Sequence, residues 1–201
     1  MQFKNVFLGR RAIRKYQDKE VPLNLIQEII DLARFTPSSG NLQNWKVIVV
    51  TNSKKKKEIA DACLQQTWME EAPVLIVVCN NFDDVKKHYG GLGKMYSIQN
   101  CSNFAFALTL IAYDKGLGSC WVGGFETEAL HRVLGIPGNM DPEVIISLGY
   151  SNETKKPALR EDPQYLTFFE SWGNKMAKFP SSLDKIKKLT NIKEHIKKLK
   201  K

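Results

Sequence analysis

Phe104-Ala105-Phe106-Ala107-Leu108-Thr109-Leu110-Ile111-Ala112-Tyr113-Asp114-Lys115-Gly116-Leu117-Gly118-Ser119-Cys120-Trp121-Val122-Gly123-Gly124 changes its character twice in one short run. From Ser97 to Lys115 apolar side chains fall nearly all round a helical wheel, the pattern of a helix enclosed in a core or a subunit interface. Gly116-Leu117-Gly118 ends that helix, and Cys120-Trp121-Val122 reads as a short strand. Gly123-Gly124 then breaks the strand. Without side chains, the backbone N–H groups there can come close to a planar ligand, although the plainer reading of such a pair is an ordinary bulge or turn.

Working outward, Val21-Pro22 opens a helix whose Ile26, Ile29, Ile30 and Ala33 share one face. It stops before Thr36-Pro37, and Ser38-Ser39-Gly40-Asn41 is turn chemistry. Val47 to Val50 and Val74 to Val78 read as buried strands, with a lysine-rich helix from Ser53 to Gln66 between them. Asp83 to Lys94 is polar and glycine-bearing, a short helix and a loop that could serve as a lid. Glu126 to Leu134 is a helix closed by Gly135-Ile136-Pro137, and Val144 to Leu148 is a further strand. Helices and strands interleave without a strict βαβ repeat, which favours an α+β sandwich. Residues 151 to 163 mark the passage to a C-terminal extension. In that extension Ile186, Leu189, Ile192, Ile196 and Leu199 form an aliphatic stripe on a basic helix. Its partner is the same subunit, a second subunit or a membrane surface; the absence of Trp and Phe from the stripe favours protein.

The 201 residues, 43% of them hydrophobic, suit one globular domain, with or without an arm. Cys63, Cys79, Cys101 and Cys120 match no zinc spacing and contain no CxxC, so they read as reduced buried thiols of a cytoplasmic protein. The N-terminus lacks the apolar core of a signal peptide, and the most apolar helix is too short to span a bilayer. The net charge of +9 raises the question of nucleic acid or an anionic membrane. Much of the excess sits in Lys54-Lys55-Lys56-Lys57 and in Lys185 to Lys201. Such runs are usually solvated faces, and they lack the interleaved arginines and aromatics that read or stack on bases. A non-catalytic basic module remains the rival reading, and neither nucleic acid nor membrane is the expected partner.

Two further segments carry candidate chemistry. Arg10, Arg11 and Arg14 place three guanidinium forks in a short span, suited to a phosphate but equally explained as a solvated basic turn. Pro37-Ser38-Ser39-Gly40-Asn41-Leu42-Gln43-Asn44-Trp45 offers hydroxyls and amides to the edge of a polar heterocycle, or is simply a capped turn. No metal site is expected: His88, His131 and His195 are scattered, and no HExxH, GxSxG, Walker loop or strand-borne GxGxxG occurs. Gly90-Gly91-Leu92-Gly93-Lys94 follows a polar stretch rather than a strand and is read as a loop.

Taken together and in order, these segments resemble the nitroreductase family of flavoproteins over residues 6 to 165. Arg10-Arg11-Ala12-Ile13-Arg14-Lys15-Tyr16 is similar to its RRSxRxF element, Pro37 to Trp45 to its PSxxNxQPW element, and Gly116 to Gly124 to its GLGSxWxGG stretch. Leu134-Gly135-Ile136-Pro137 and Leu148-Gly149-Tyr150 match its LGIP and LGY segments. The resemblance implies a three-layer α+β sandwich, with a mixed, mostly antiparallel sheet flanked by helices and FMN at a homodimer interface. Residues 1–165 would form the FMN-binding domain and 166–201 the extension; family dimers commonly exchange C-terminal segments, which adds weight to an arm across the partner beside packing on the same subunit.

The resemblance also implies site roles. Arg10, Arg11, Ala12 and Arg14 would hold the tightly but non-covalently bound FMN through its phosphate and pyrimidine side, with Arg14 near N1–C2=O, where a cation stabilises the anionic reduced flavin. Pro37, Ser38, Ser39, Asn41 and Gln43 would reach it from the partner subunit. Val122, Gly123 and Gly124 would present backbone to N5 and O4, Gln66 would lie near the ring, and Arg160 would grip the phosphate. The implied reaction is ping-pong: NAD(P)H gives hydride to N5 and leaves, then a nitroaromatic, quinone or similar flat acceptor takes the electrons. No side chain is an indispensable acid or base. Flavin storage or consumption is the alternative within the family. Two departures stand out: Ala12 replaces the usual Ser, and Asn44 replaces a Pro, which is expected to loosen the loop.

Overall fold

Valine and isoleucine decide the centre of the molecule. The strand β2 (Val74–Asn80) is buried at every position, and β4 (Asp141–Gly149) at nearly every one. β-Branched runs of this kind belong to strands covered on both faces. The computed structural model describes residues 2–175. It adds β1 (Trp45–Val50) and β3 (Gly118–Val122) as the two edges of a four-stranded sheet ordered β1-β2-β4-β3. All three strand pairs are antiparallel, and the parallel pairing among the described residues is an isolated bridge, Ala12 to Ser119.

Alternate residues of β2 feed two cores, as a period of two requires. Val74, Ile76 and Val78 face α2 (Leu23–Ala33) and α5 (Gly93–Asp114), which supply Ile26, Ile29, Ala33, Phe104 and Leu108. Leu75, Val77 and Cys79 face α3 (Ser53–Ala62), α6 (Thr127–Leu134) and the turn at Thr67–Glu71, which supply Ile59, Met69 and Leu130. The result is the expected three-layer α+β sandwich. All four cysteines are free and buried. Burial raises each thiol, that of Cys79 to about 11 and that of Cys63 to about 12.

Several details differ from the sequence reading. α1 (Phe3–Gly9) was not expected; it is too short to stand alone and is held from outside, Phe7 meeting the ring edge of Phe106 on α5 at 5.9 Å. α5 begins at Gly93, because the polar segment before it is itself helical: α4 (Phe82–Tyr89) packs Val85 against α5. Gly93 is required there, since a Cβ would lie 2.6 Å from the Lys86 Cα. Of the helix expected in a core or a subunit interface, Phe104 and Leu108 fill the subunit's own core, whereas Phe106 is exposed.

The chain divides after Pro157, and the described residues from Ala158 to Lys175 belong to a second unit. Its described part holds α7 (Pro163–Leu166), capped by Asp162, and a Phe168–Trp172 ring pair. The expected amphipathic helix from Ile186 to Leu199 lies outside the described residues.

Lys56 departs from the solvated face expected of the lysine run. It is only 8% exposed, and its ammonium donates to the carbonyls of Glu70 at 3.1 Å and Ala72 at 2.6 Å. Desolvation lowers its pKa. Replacing Lys56 with Met keeps the apolar stem but strands both carbonyls. The variant is expected to lose about 1–3 kcal/mol of stability, read as a lower thermal midpoint; an unchanged midpoint would mean that the carbonyls do not depend on Lys56.

Candidate functional site

Leaving α1, residues 10–16 run as a strap along the outer edge of β3. The Ile13 N–H donates to the Ser119 carbonyl at 2.9 Å, and the Tyr16 hydroxyl donates to the Ile13 carbonyl at 2.7 Å. Tyr16 also shares a hydrogen bond with Ser147 Oγ, and burial pushes its hydroxyl well above the usual phenol range. The approach is close enough to demand glycine: a Cβ at Gly118 would stand 2.9 Å from Ile13 Cγ1. Glu153 fixes the next stretch. Its Oε1 accepts from the Arg14 N–H at 2.6 Å and the Lys15 N–H at 3.3 Å, while Oε2 pairs with Lys155 at 3.1 Å. Desolvation of this carboxyl opposes ionisation, but the Arg14 N–H and Lys155 outweigh it, so its pKa is lowered.

Its backbone thus binds the strap to β3 and to Glu153. Arg14 is exposed, with its Cζ 5.5 Å from the Trp68 ring centre. Arg11 donates one Nη1 bond to the Arg10 carbonyl at 2.7 Å, yet its Nε is buried without a hydrogen-bond partner. A buried donor of a charged group left unpaired is costly, and an oxyanion is the chemistry that satisfies it. Ala12 is half-buried and contributes no polar side-chain atom.

At the end of β3, Val122 is buried while Gly123 and Gly124 are exposed, so their backbone is open to solvent. Gln66 comes to the same place, its Nε2 donating to the Gly124 carbonyl at 3.4 Å. Leu64 and Gln65 before it both take φ of +57°. The strap, Gly123–Gly124, Gln66 and Trp68 are thus gathered beside one edge of the sheet.

The other loop is elsewhere. Pro37 to Asn44 leads into β1, the opposite edge, roughly 14 Å away at three interstrand spacings. Its anchor is polar. Asn100 Oδ1 accepts from the Ser39 N–H at 2.9 Å and the Ser39 hydroxyl at 3.1 Å. Ser38 Oγ accepts from the Gln43 N–H at 3.1 Å, and Gln43 Nε2 donates to the Asn41 carbonyl and side chain. Asn44 tightens the loop instead of loosening it: it is 2% exposed and bonded to both Asn80 and Asn100. Arg160 belongs to the second unit, where it is exposed and donates to the Leu159 carbonyl.

Trp68, Glu153, Asn80 and Asn100 went unnoticed in the sequence, because nothing in a lone Trp, Glu or Asn announces a tertiary partner. Among the described residues, no cluster of three His, Cys, Asp or Glu could hold a metal, and no helix is long and apolar enough to cross a membrane.

Comparison with known proteins bears on the same segments. The profile of the nitroreductase family matches residues 8–68 and 63–150, a span that includes the strap, both loops and the glycine pair. The chain belongs to the nitroreductase family. A member from Methanothermobacter thermautotrophicus is 34% identical over 169 residues, which are 81% of this chain and 84% of that protein. The NADH dehydrogenase of Thermus thermophilus is 30% identical over 185 residues, 78% of this chain and 90% of its own. Among solved structures, the FMN-dependent nitroreductase of Clostridium difficile superposes with a TM-score of 0.72 at 29% identity, covering 84% of this chain and 99% of its own. Nitroreductase membership makes the protein an oxidoreductase.

Glu153 gives this member of the nitroreductase family a pH-dependent fastening. A carboxyl whose folded pKa is depressed contributes stability above its unfolded pKa and loses that contribution as pH falls through the folded value. Glu153→Gln is therefore expected to melt at lower temperature than the parent at pH 7, with the gap closing as pH falls below the ordinary glutamate value of 4.5. A gap of equal size at pH 7 and pH 3 would contradict this role for the carboxylate.

Proposed function

We propose that the protein is an FMN-dependent NAD(P)H oxidoreductase that works in the cytoplasm as a homodimer and reduces nitroaromatics, quinones or similar flat acceptors. The observation that carries this reading is the buried, unpartnered Arg11 Nε in a strap of three arginines, laid beside a strand that ends in two bare glycines. A phosphate satisfies the strap, and a flat ring fits against backbone that no side chain covers. FMN joins those two chemistries in one molecule.

Each residue then has a task. Arg10 and Arg11 take the phosphate, while Ala12 keeps the strap close to Ser119 without adding a hydroxyl. Arg14 places positive charge at the pyrimidine edge, where it favours electron density arriving on the ring. Val122, Gly123 and Gly124 supply backbone toward N5 and O4, and Gln66, through the Gly124 carbonyl, holds that peptide in place. When bound, FMN accepts hydride from NAD(P)H and passes the electrons to the acceptor.

The homodimer is supported by separation within one chain. Pro37, Ser38, Ser39, Asn41 and Gln43 lie at the sheet edge opposite the strap, so two subunits are the direct way to bring both sets to one flavin. Exposed Phe3, Phe7 and Phe106 cluster on α1 and α5, an apolar surface suited to a second copy. The four free buried thiols suit a reducing compartment.

Purified protein should be yellow, or become so with added FMN, and NADH or NADPH should bleach it without oxygen. Protein that stays colourless with FMN would refute the reading. Arg10→Ala and Arg11→Ala should each weaken FMN binding about ten-fold or more, since charge-assisted bonds contribute roughly 1.5–3 kcal/mol. Riboflavin, which lacks the phosphate, should be much less affected; equal losses for both ligands would sink the phosphate assignment.

A further inference from the structure

The loop before β1 is held in an uncommon shape. Gly40, Asn41 and Gln43 have φ of +56°, +57° and +46°, a left-handed geometry that side-chain-bearing residues seldom adopt. A Cβ on Gly40 would also lie 2.9 Å from the Tyr89 hydroxyl. Hydrogen bonds inside the exposed tip do not account for such a shape, because water competes for them.

Beneath the tip lies a continuous chain of buried amides. Asn100 is 2% exposed; its Oδ1 receives both the N–H and the hydroxyl of Ser39, and its Nδ2 donates to Asn44 Oδ1 at 2.7 Å. Asn44 Nδ2 donates to Asn80 Oδ1 at 2.7 Å and lies 3.3 Å from the Ser97 carbonyl. Asn80 Nδ2 in turn donates to Ser97 Oγ at 2.9 Å and Glu143 Oε1 at 2.7 Å. This chain joins the loop to α5, β2 and β4, elements that build the buried core. Every amide in it has partners for both its oxygen and its nitrogen, so none can rotate without leaving a buried group unpaired.

We propose that Asn100 and Asn44 are positioning residues for the flavin site: they hold the left-handed Ser38–Gln43 loop in the shape that meets a flavin bound mainly by the partner subunit. The inference rests on the FMN reading above. Neither amide touches the flavin. Asn100 engages the Ser39 hydroxyl in the clamp, while the side chains of Ser38, Asn41 and Gln43 stay at the tip for the ligand. Asn44 holds Asn100 in the rotamer that points Oδ1 at Ser39.

The test uses the full-length protein with Asn100→Ala, Asn44→Pro and a control, Val50→Ala, which truncates a core residue at the far end of β1. Two quantities are read: FMN affinity by quenching of flavin fluorescence, and amide hydrogen exchange across residues 38–43 in flavin-free protein. Both asparagine variants are expected to exchange those amides about ten-fold faster and to bind FMN about ten-fold more weakly. Val50→Ala is expected to lose thermal stability with loop exchange and FMN affinity unchanged. If Asn100→Ala does not fold, Asn44→Pro carries the test, along with Ser39→Ala, which removes one of the two bonds to Asn100 and should give a smaller effect of the same kind.

Parental FMN affinity in the asparagine variants, or unchanged loop exchange, would overturn the proposal. So would an affinity loss in Val50→Ala equal to that in the asparagine variants, since the effect would then be general instability. Failure of the parent protein itself to bind FMN is a separate result, read before any variant, that overturns the proposed function and the positioning role together.

Discussion

Burial of β2 and β4 on both faces is the constraint from which the rest of the molecule follows. Two strands covered above and below must lie at the centre of a three-layer body, which leaves β1 and β3 as its edges. An edge strand carries unpaired backbone groups that invite association unless something covers them. The strap answers this at β3, where Ile13 takes the Ser119 carbonyl. The loop lies at the mouth of β1. Both candidate segments are therefore attachments to the rims of one four-stranded sheet, and they stand on opposite rims.

The central layer was legible in the sequence because its signal is local. Val74 to Val78 and Val144 to Leu148 are apolar runs of strand length, and their β-branched residues fit a pleated surface. The helix around Phe104 was legible for the same reason, although its start was not. Gly93 looked like a loop residue, and its need for close contact with Lys86 exists only in three dimensions. Lys56 misled because a lysine run on a surface helix is ordinarily solvated, and the carbonyls that capture one member come from a turn fourteen residues away in Glu70 and sixteen in Ala72.

The candidate site was readable as segments but not as an arrangement. Three arginines, a hydroxyl-rich loop and a glycine pair are compositional signals, and the family likeness gave them roles. That Asn44 would be a clamp was not readable. Compared with the usual Pro, an Asn next to a turn suggests slack, and only its burial between Asn80 and Asn100 reverses that judgement. Glu153 was silent for a related reason: its partners are backbone N–H groups of residues far away in the chain.

α5 reaches both rims. Near its start Ser97 and Asn100 hold the β1-side loop, and near its end Tyr113 lies under Gly9, where a Cβ would come 2.0 Å from the tyrosine hydroxyl. Thirteen residues separate Asn100 from Tyr113, about 20 Å of helix at 1.5 Å per residue. The helix is thus a gauge that sets how far apart the two attachments stand and at what relative angle. One inserted residue between those points would turn one end by about 100° against the other, carrying Asn100 off Ser39 or Tyr113 off Gly9, the residue that leads into the strap. Substitutions along its exposed side leave the gauge intact, whereas a change of length does not. In descendants of this chain, length variation should collect in the surface turns, while the interval from Asn100 to Tyr113 keeps its count.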